Sequence, residues 1–112
     1  MTEIINDINK VYIELEQRSD DRAKAVYELT RLDEQKKSVL AKIELKYEAS
    51  CKTQTQIERN AKADEDYIKY LEGLAVAKEN YLKADAHYKN LLTLVELKRT
   101  REVTNRDMIS KS

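Results

Sequence analysis

Few residues in this chain could do chemistry, and they are poorly spaced for it. His87 is the only histidine and Cys51 the only cysteine. A thiolate–imidazole couple needs the two within hydrogen-bond reach. Cys51 falls in an interhelical turn and His87 far along the following helix, so one hairpin cannot bring them together. Nothing strongly cationic beyond Lys52 flanks Cys51, so no activated thiol is expected there. The acidic clusters Asp64–Glu65–Asp66, Asp20–Asp21 and Asp33–Glu34 are adjacent in sequence. Neighbours on a helix point in different directions, which makes poor metal sites, and no Glu-x-x-His pair of the carboxylate-bridged metal bundles occurs. There is no glycine-rich phosphate loop, no Ser/His/Asp set and no Cys/His metal spacing. The expectation is a non-enzymatic protein with no catalytic residue, no cofactor and no metal.

Two further groups stand out. Tyr67, Tyr70, Tyr81 and Tyr88 form a ladder at helical spacing. Such rings either stack single-stranded nucleic acid or bury themselves in a seam with their hydroxyls at its rim. Basic residues do not interleave closely with them, which favours the seam. With Leu74, Leu91 and Val95, these tyrosines are the expected oligomer or partner seam. Lys98, Arg99, Arg101 and Arg106 cluster near the end of the chain. They either complement the negative end of a helix dipole or contact phosphates.

The elements that position these groups follow from composition. The chain has 112 residues, no Pro, no Phe, no Trp and one glycine, Gly73; charged residues make up 38% of it. Many short elements would need turns built on Gly, Pro or Asn, so a few very long helices fit better. In the first half, Ile4, Ile8, Val11 and Leu15 recur at 4-3-4 spacing. The frame then meets Arg18 and Arg22, recovers at Ala25, Leu29 and Leu32, passes Lys36 and ends on Val39 and Ile43. That is a heptad stripe with polar interruptions, widened by Ile5, Tyr12, Val26, Leu40 and Tyr47. Around Gln17–Asp21 either Ser19 or Asp20 caps a new helix, or one helix runs through; a continuous helix is expected, with room for a kink near Ser19.

In the second half, Tyr67, Leu74, Tyr81, Tyr88 and Val95 occupy one heptad position and Tyr70, Ala77, Ala84 and Leu91 the other. Ile57, Ala61, Ile68, Leu71, Leu82, Leu92 and Leu94 widen this face, which suits a bundle better than a narrow two-stranded zipper. Between the halves, Thr53-x-x-Gln56 and Thr55-x-x-Glu58 both fit a capping box. An acid stands four residues before a base at Glu14–Arg18, Asp33–Lys37, Glu79–Lys83, Asp85–Lys89 and elsewhere, each pair worth roughly 0.2–0.5 kcal/mol in a helix.

The fold expected is all-α: one long antiparallel helical hairpin, a coiled coil that assembles into a dimer or helical bundle. It forms a single domain over 1–112, with helix 1 at about 3–49, the turn at about 50–54, helix 2 at about 55–101 and a basic tail at 102–112. Gly73 lies within helix 2 beside Leu74, where either a closely crossing helix or tolerance at an exposed position explains it. Each helix would span about 70 Å, and a single pair leaves much of its apolar face wet, so a homo-oligomer is expected.

The layout resembles small helical early-region proteins of tailed bacteriophages, often encoded near single-strand annealing recombinases. The residues that carry the resemblance are Ala25–Val26–Tyr27 and Leu40–Ala41–Lys42, then Thr53 to Arg59 (TQTQIER). The run from Tyr70 to Ala77 (YLEGLAVA) and the tail from Arg99 to Arg106 (RTREVTNR) complete it. The resemblance implies a phage or prophage origin and an accessory role around DNA recombination or evasion of host defence, with no catalytic residues.

Acid and base balance at 21 each, so the molecule as a whole has no pull toward polyanions; only the stretch from Lys89 onward is mildly basic. The expected partner is a protein, acting in DNA recombination or replication. Direct nucleic-acid binding through the basic cluster and inhibition of a host defence complex are the alternatives. No apolar run reaches the roughly 18–20 residues of a membrane span, and the start, MTEIINDINK, lacks a signal-peptide core. Together these predict a cytoplasmic protein, in the host cytoplasm if phage-encoded.

Overall fold

With apolar residues every three or four positions and no proline, backbone amides find their partners locally and the chain becomes helical nearly throughout. The computed structural model describes the backbone of residues 2–111 and the side chains of residues 7–105. It contains α1 (Thr2–Leu45), α2 (Gln54–Ala63) and α3 (Glu65–Lys111), and no strand among the described residues. The protein is all-α and its long helices form a hairpin.

The chain divides into two units: Met1–Lys24 with Leu82–Ser112, and Ala25–Tyr81. Each unit draws on both α1 and α3. In the unit Ala25–Tyr81, the Tyr70 hydroxyl donates to the Leu32 carbonyl, and Lys46 Nζ lies 2.7 Å from Asp66 Oδ2. In the other unit, Arg18 Nη1 donates to the His87 carbonyl at 3.0 Å, and Arg22 Nε lies 2.7 Å from Asp85 Oδ1. In each, the α3 number falls as the α1 number rises, so the pairing is antiparallel.

The heptad frame read from the sequence is the face each helix turns inward. Along α1, Val11, Leu15, Arg18, Arg22, Ala25, Leu29, Leu32 and Val39 are half-buried and Ile43 buried, while Lys36 is exposed. Along α3, Tyr67, Ala77 and Leu91 are buried, and Tyr70, Leu74, Tyr81, Ala84, Tyr88 and Val95 half-buried. The Gln17–Asp21 stretch stays within α1, with Ser19 and Asp20 exposed and no new cap.

The turn differs from expectation, and tertiary anchors are the reason. α1 stops at Leu45 rather than near residue 49. Lys46 and Tyr47 already make three-residue turns, donating to Ile43 and Glu44 carbonyls at 3.1 and 3.0 Å, and both side chains reach across to the acids at 64–66. The Tyr47 hydroxyl donates to Asp64 Oδ2 at 2.5 Å. Thr53 caps α2, accepting from the Gln56 amide at 3.2 Å. The Gln56 side chain reaches back to the Lys52 amide at 3.1 Å, one residue earlier than a standard capping box.

The second helix expected as continuous from about 55 is broken at Asp64, whose backbone is extended (φ −65°, ψ 138°). Its carboxylate accepts from the Asp66 amide at 2.8 Å, so it caps the start of α3, with Glu65 and Asp66 at the favourable end of the dipole. The break lets Ala61, fully excluded from solvent, and Tyr67 both face Ile43, with Val39, Leu40, Tyr47 and Leu71 packed around them. The basic tail expected from residue 102 is helical, as part of α3. A Cβ at Gly73 would meet nothing within 4 Å, so among the described residues no helix crosses closely there.

Candidate functional site

The tyrosine ladder is built into the pairing of α1 with α3. Tyr67 is 5% exposed. Tyr70 is half-buried with its hydroxyl on the Leu32 carbonyl, and burial pushes that hydroxyl's pKa up. Tyr88 is half-buried, and the Arg22 guanidinium carbon sits 5.5 Å from its ring centroid. Tyr81, Leu74 and Val95 are half-buried and Leu91 buried. The seven residues expected as an oligomer or partner seam therefore line the chain's own helix pair, because a heptad stripe is satisfied by any facing helix and α1 supplies one.

Arg18 and Arg22, the polar interruptions in the α1 frame, meet a matched set on α3. Asp85 forms ion pairs with Arg22, Nε 2.7 Å from Oδ1, and with Lys89, Nζ 2.9 Å from Oδ2. Its carboxyl is held below the ordinary aspartate range, first by the Lys89 hydrogen bond and then by the charges of Lys89 and Arg22. The facing Arg22 Nε and Asp85 Oδ1 are shielded from water and have each other as partners. Arg18 adds Glu14 Oε1 at 2.5 Å to its bond with the His87 carbonyl, so the expected Glu14–Arg18 and Asp85–Lys89 pairs both close. The sequence signal for this cluster is the pair of arginines, Arg18 and Arg22, at successive positions of the heptad frame.

At the turn, Asp64 is held below the ordinary aspartate range, first by the Tyr47 hydroxyl and then by the Asp66 amide. Tyr47 is raised in return, chiefly by that bond. Lys46 is raised by its bond to Asp66. Sequence reasoning missed Asp64; an Asp followed by two acids is the signature of a helix start and marked the place.

Cys51 is half-buried in the turn with Asn60 Nδ2 at 3.1 Å from its sulfur. His87 is exposed on α3 and belongs to the other unit. Among the described residues, no group of three or more His, Cys, Asp or Glu could hold a metal ion, and no helix is long and apolar enough to cross a membrane.

Lys98, Arg99 and Arg101 are exposed; the side chain of Arg106 lies outside the described residues, as do those of Ile4 and Ile5. Lys98 and Arg99 border a recess of about 290 Å³ together with Asp7, Ile8, Val11, Tyr12, Val95 and Glu102. Two acids thus share the rim with the two bases. Large apolar side chains are exposed as well. Tyr27 is 70% exposed, and Ile13, Leu45, Val76, Leu82, Leu94, Leu97 and Val103 are each more than half exposed. Of the residues expected to widen the two stripes, Leu40, Tyr47 and Leu71 pack inward, whereas Tyr12, Val26, Ile68, Leu82 and Leu94 face solvent.

The chain matches no protein-family model, no curated protein and no solved structure.

Proposed function

We propose that the protein is a non-enzymatic helical accessory protein that works by binding other proteins, copies of itself included. The observation that carries this reading is the mismatch between core and surface. The buried apolar set among the described residues is Ile43, Ala61, Tyr67, Ala77 and Leu91, two of them alanines, while twelve large apolar side chains are at least 40% exposed. Scattered surface leucines are ordinary, but so small a core beside so many uncovered groups supports a surface completed by a partner. The resemblance to early-region phage proteins adds a setting, the host cytoplasm, and a process, DNA recombination or replication. Inhibition of a host defence complex is the same physical activity with a different partner.

Lys98, Arg99 and Arg101, with Arg106, are the groups a direct nucleic-acid binder would use. Asp7 and Glu102 on the same rim oppose a phosphate backbone. The test pairs two measurements on the folded chain. Tyr27→Lys with Val76→Lys, both at exposed positions, should keep wild-type helicity and lose association with a different protein, purified from phage-infected cells. Undiminished association in that variant removes the reading. A band shift of single- or double-stranded DNA at low salt, abolished by Arg99→Glu with Arg101→Glu, would replace it with nucleic-acid binding; none is expected.

A further inference from the structure

The antiparallel seam ends in charged residues. Counting on by seven from Leu91 and Val95 gives Lys98 and Glu102, so the last seam positions of α3 carry charge where earlier ones carry rings and leucines. Facing them on α1 are Ile8 and Val11, flanked by Asp7 and Tyr12. Where the seam positions carry charged side chains whose tips turn to water, the space between the helices is left unfilled, and a recess of about 290 Å³ opens there. Its apolar wall stays wet: Ile8 is 43% and Tyr12 54% exposed. Its rim carries Asp7 and Glu102 against Lys98 and Arg99, and none of the four forms an ion pair with another described residue.

A rim of one sign would suit a ligand of the other. This rim carries both in equal number, so the surface complementary to it carries both as well. A second copy supplies that surface. Across a two-fold axis the acids of one rim meet the bases of the other, twice over, and the two tyrosines and isoleucines close on one another. We infer that this recess is the docking surface for a second copy of the chain. The inference rests on the protein-binding reading above and gives it one partner and one place.

Sedimentation of the full chain in the micromolar range tests it. The wild type forms a dimer that added salt weakens. Lys98→Glu with Arg99→Glu makes the rim wholly acidic, and Asp7→Lys with Glu102→Lys makes it wholly basic. Each variant alone should associate about tenfold more weakly or worse, and an equimolar mixture should restore the dimer, because each site then meets its opposite. Tyr12→Lys, at an exposed position, should also weaken the dimer and decides the matter if either double variant loses helicity. Variants that dimerise as tightly as wild type overturn the surface while leaving self-association standing elsewhere. A wild-type chain that stays monomeric overturns the second copy as occupant and leaves binding to a different protein intact.

Discussion

Gly73 is the only glycine, inside α3 and exposed, with open space where a side chain would begin. Its conformational freedom serves no positive φ and no close approach within the chain, so it only costs helix stability. Gly73→Ala should stabilise the folded chain by about 1 kcal/mol, read from urea or thermal unfolding. A destabilising alanine would mean that another chain approaches this backbone. Asp64 and Asp85 make a prediction of the opposite sign. Both carboxyls sit below the ordinary aspartate range in the folded chain, Asp64 first through Tyr47 and Asp85 first through Lys89. A group whose folded pKa is depressed contributes stability above its unfolded value, about 4 for aspartate, and loses it as pH falls through the folded pKa. Melting temperature should therefore fall below about pH 4. Asp64→Asn and Asp85→Asn should each melt lower at neutral pH and show a flatter acid limb. An acid limb as steep in both variants as in the wild type would contradict this.

At the scale of elements, Arg22 and Asp85 do for α1 and α3 what spacing alone does not. A heptad stripe tolerates sliding by seven residues, because every apolar knob finds another hole. A charge pair within the seam finds its partner in only one alignment. Ion pairs of this kind give little net stability against apolar replacements, and breaking one partner costs more than removing both. Arg22→Leu and Asp85→Leu should each melt below wild type, whereas the double variant should melt no lower than wild type and pair its helices in more than one register. Disulfide trapping between cysteines placed along α1 and α3 in a Cys51→Ser background reads the registers. A double variant less stable than both single variants would contradict the account. The inward faces of both helices were legible in the sequence, because 4-3 spacing directly encodes a buried stripe and Tyr67, Leu74, Tyr81 and Tyr88 hold to it. The early stop of α1 and the break at Asp64 were not. Both depend on the Tyr47 hydroxyl and Lys46 reaching acids 17 to 20 residues away, and local spacing carries no record of such contacts.

For the molecule as a whole, zero formal net charge and equal acid and base counts leave no long-range field to select a polyanion, and the proposed binding to proteins rests on shape and apolar surface instead. The sequence showed that apolar groups exceed what a helix pair hides, but not which would be left out. Regular spacing marked Tyr67, Tyr70, Tyr81 and Tyr88 as a seam, and within the single chain they are already buried or half-buried. Tyr12, Tyr27 and Val76 are left over, and the charged end of the seam at Lys98 and Glu102 was visible only as a basic cluster. The heptad face is consumed within one chain while a second apolar set stays outward. Peptide-resolved hydroxyl-radical footprinting of tyrosines, on protein diluted until it is monomeric, tests this most directly. Tyr27 at 70% exposure and Tyr12 at 54% should be oxidised first, and Tyr67 at 5% last. Tyr67 reacting as fast as Tyr27 would mean that the seam opens in the single chain and that its burial there does not hold.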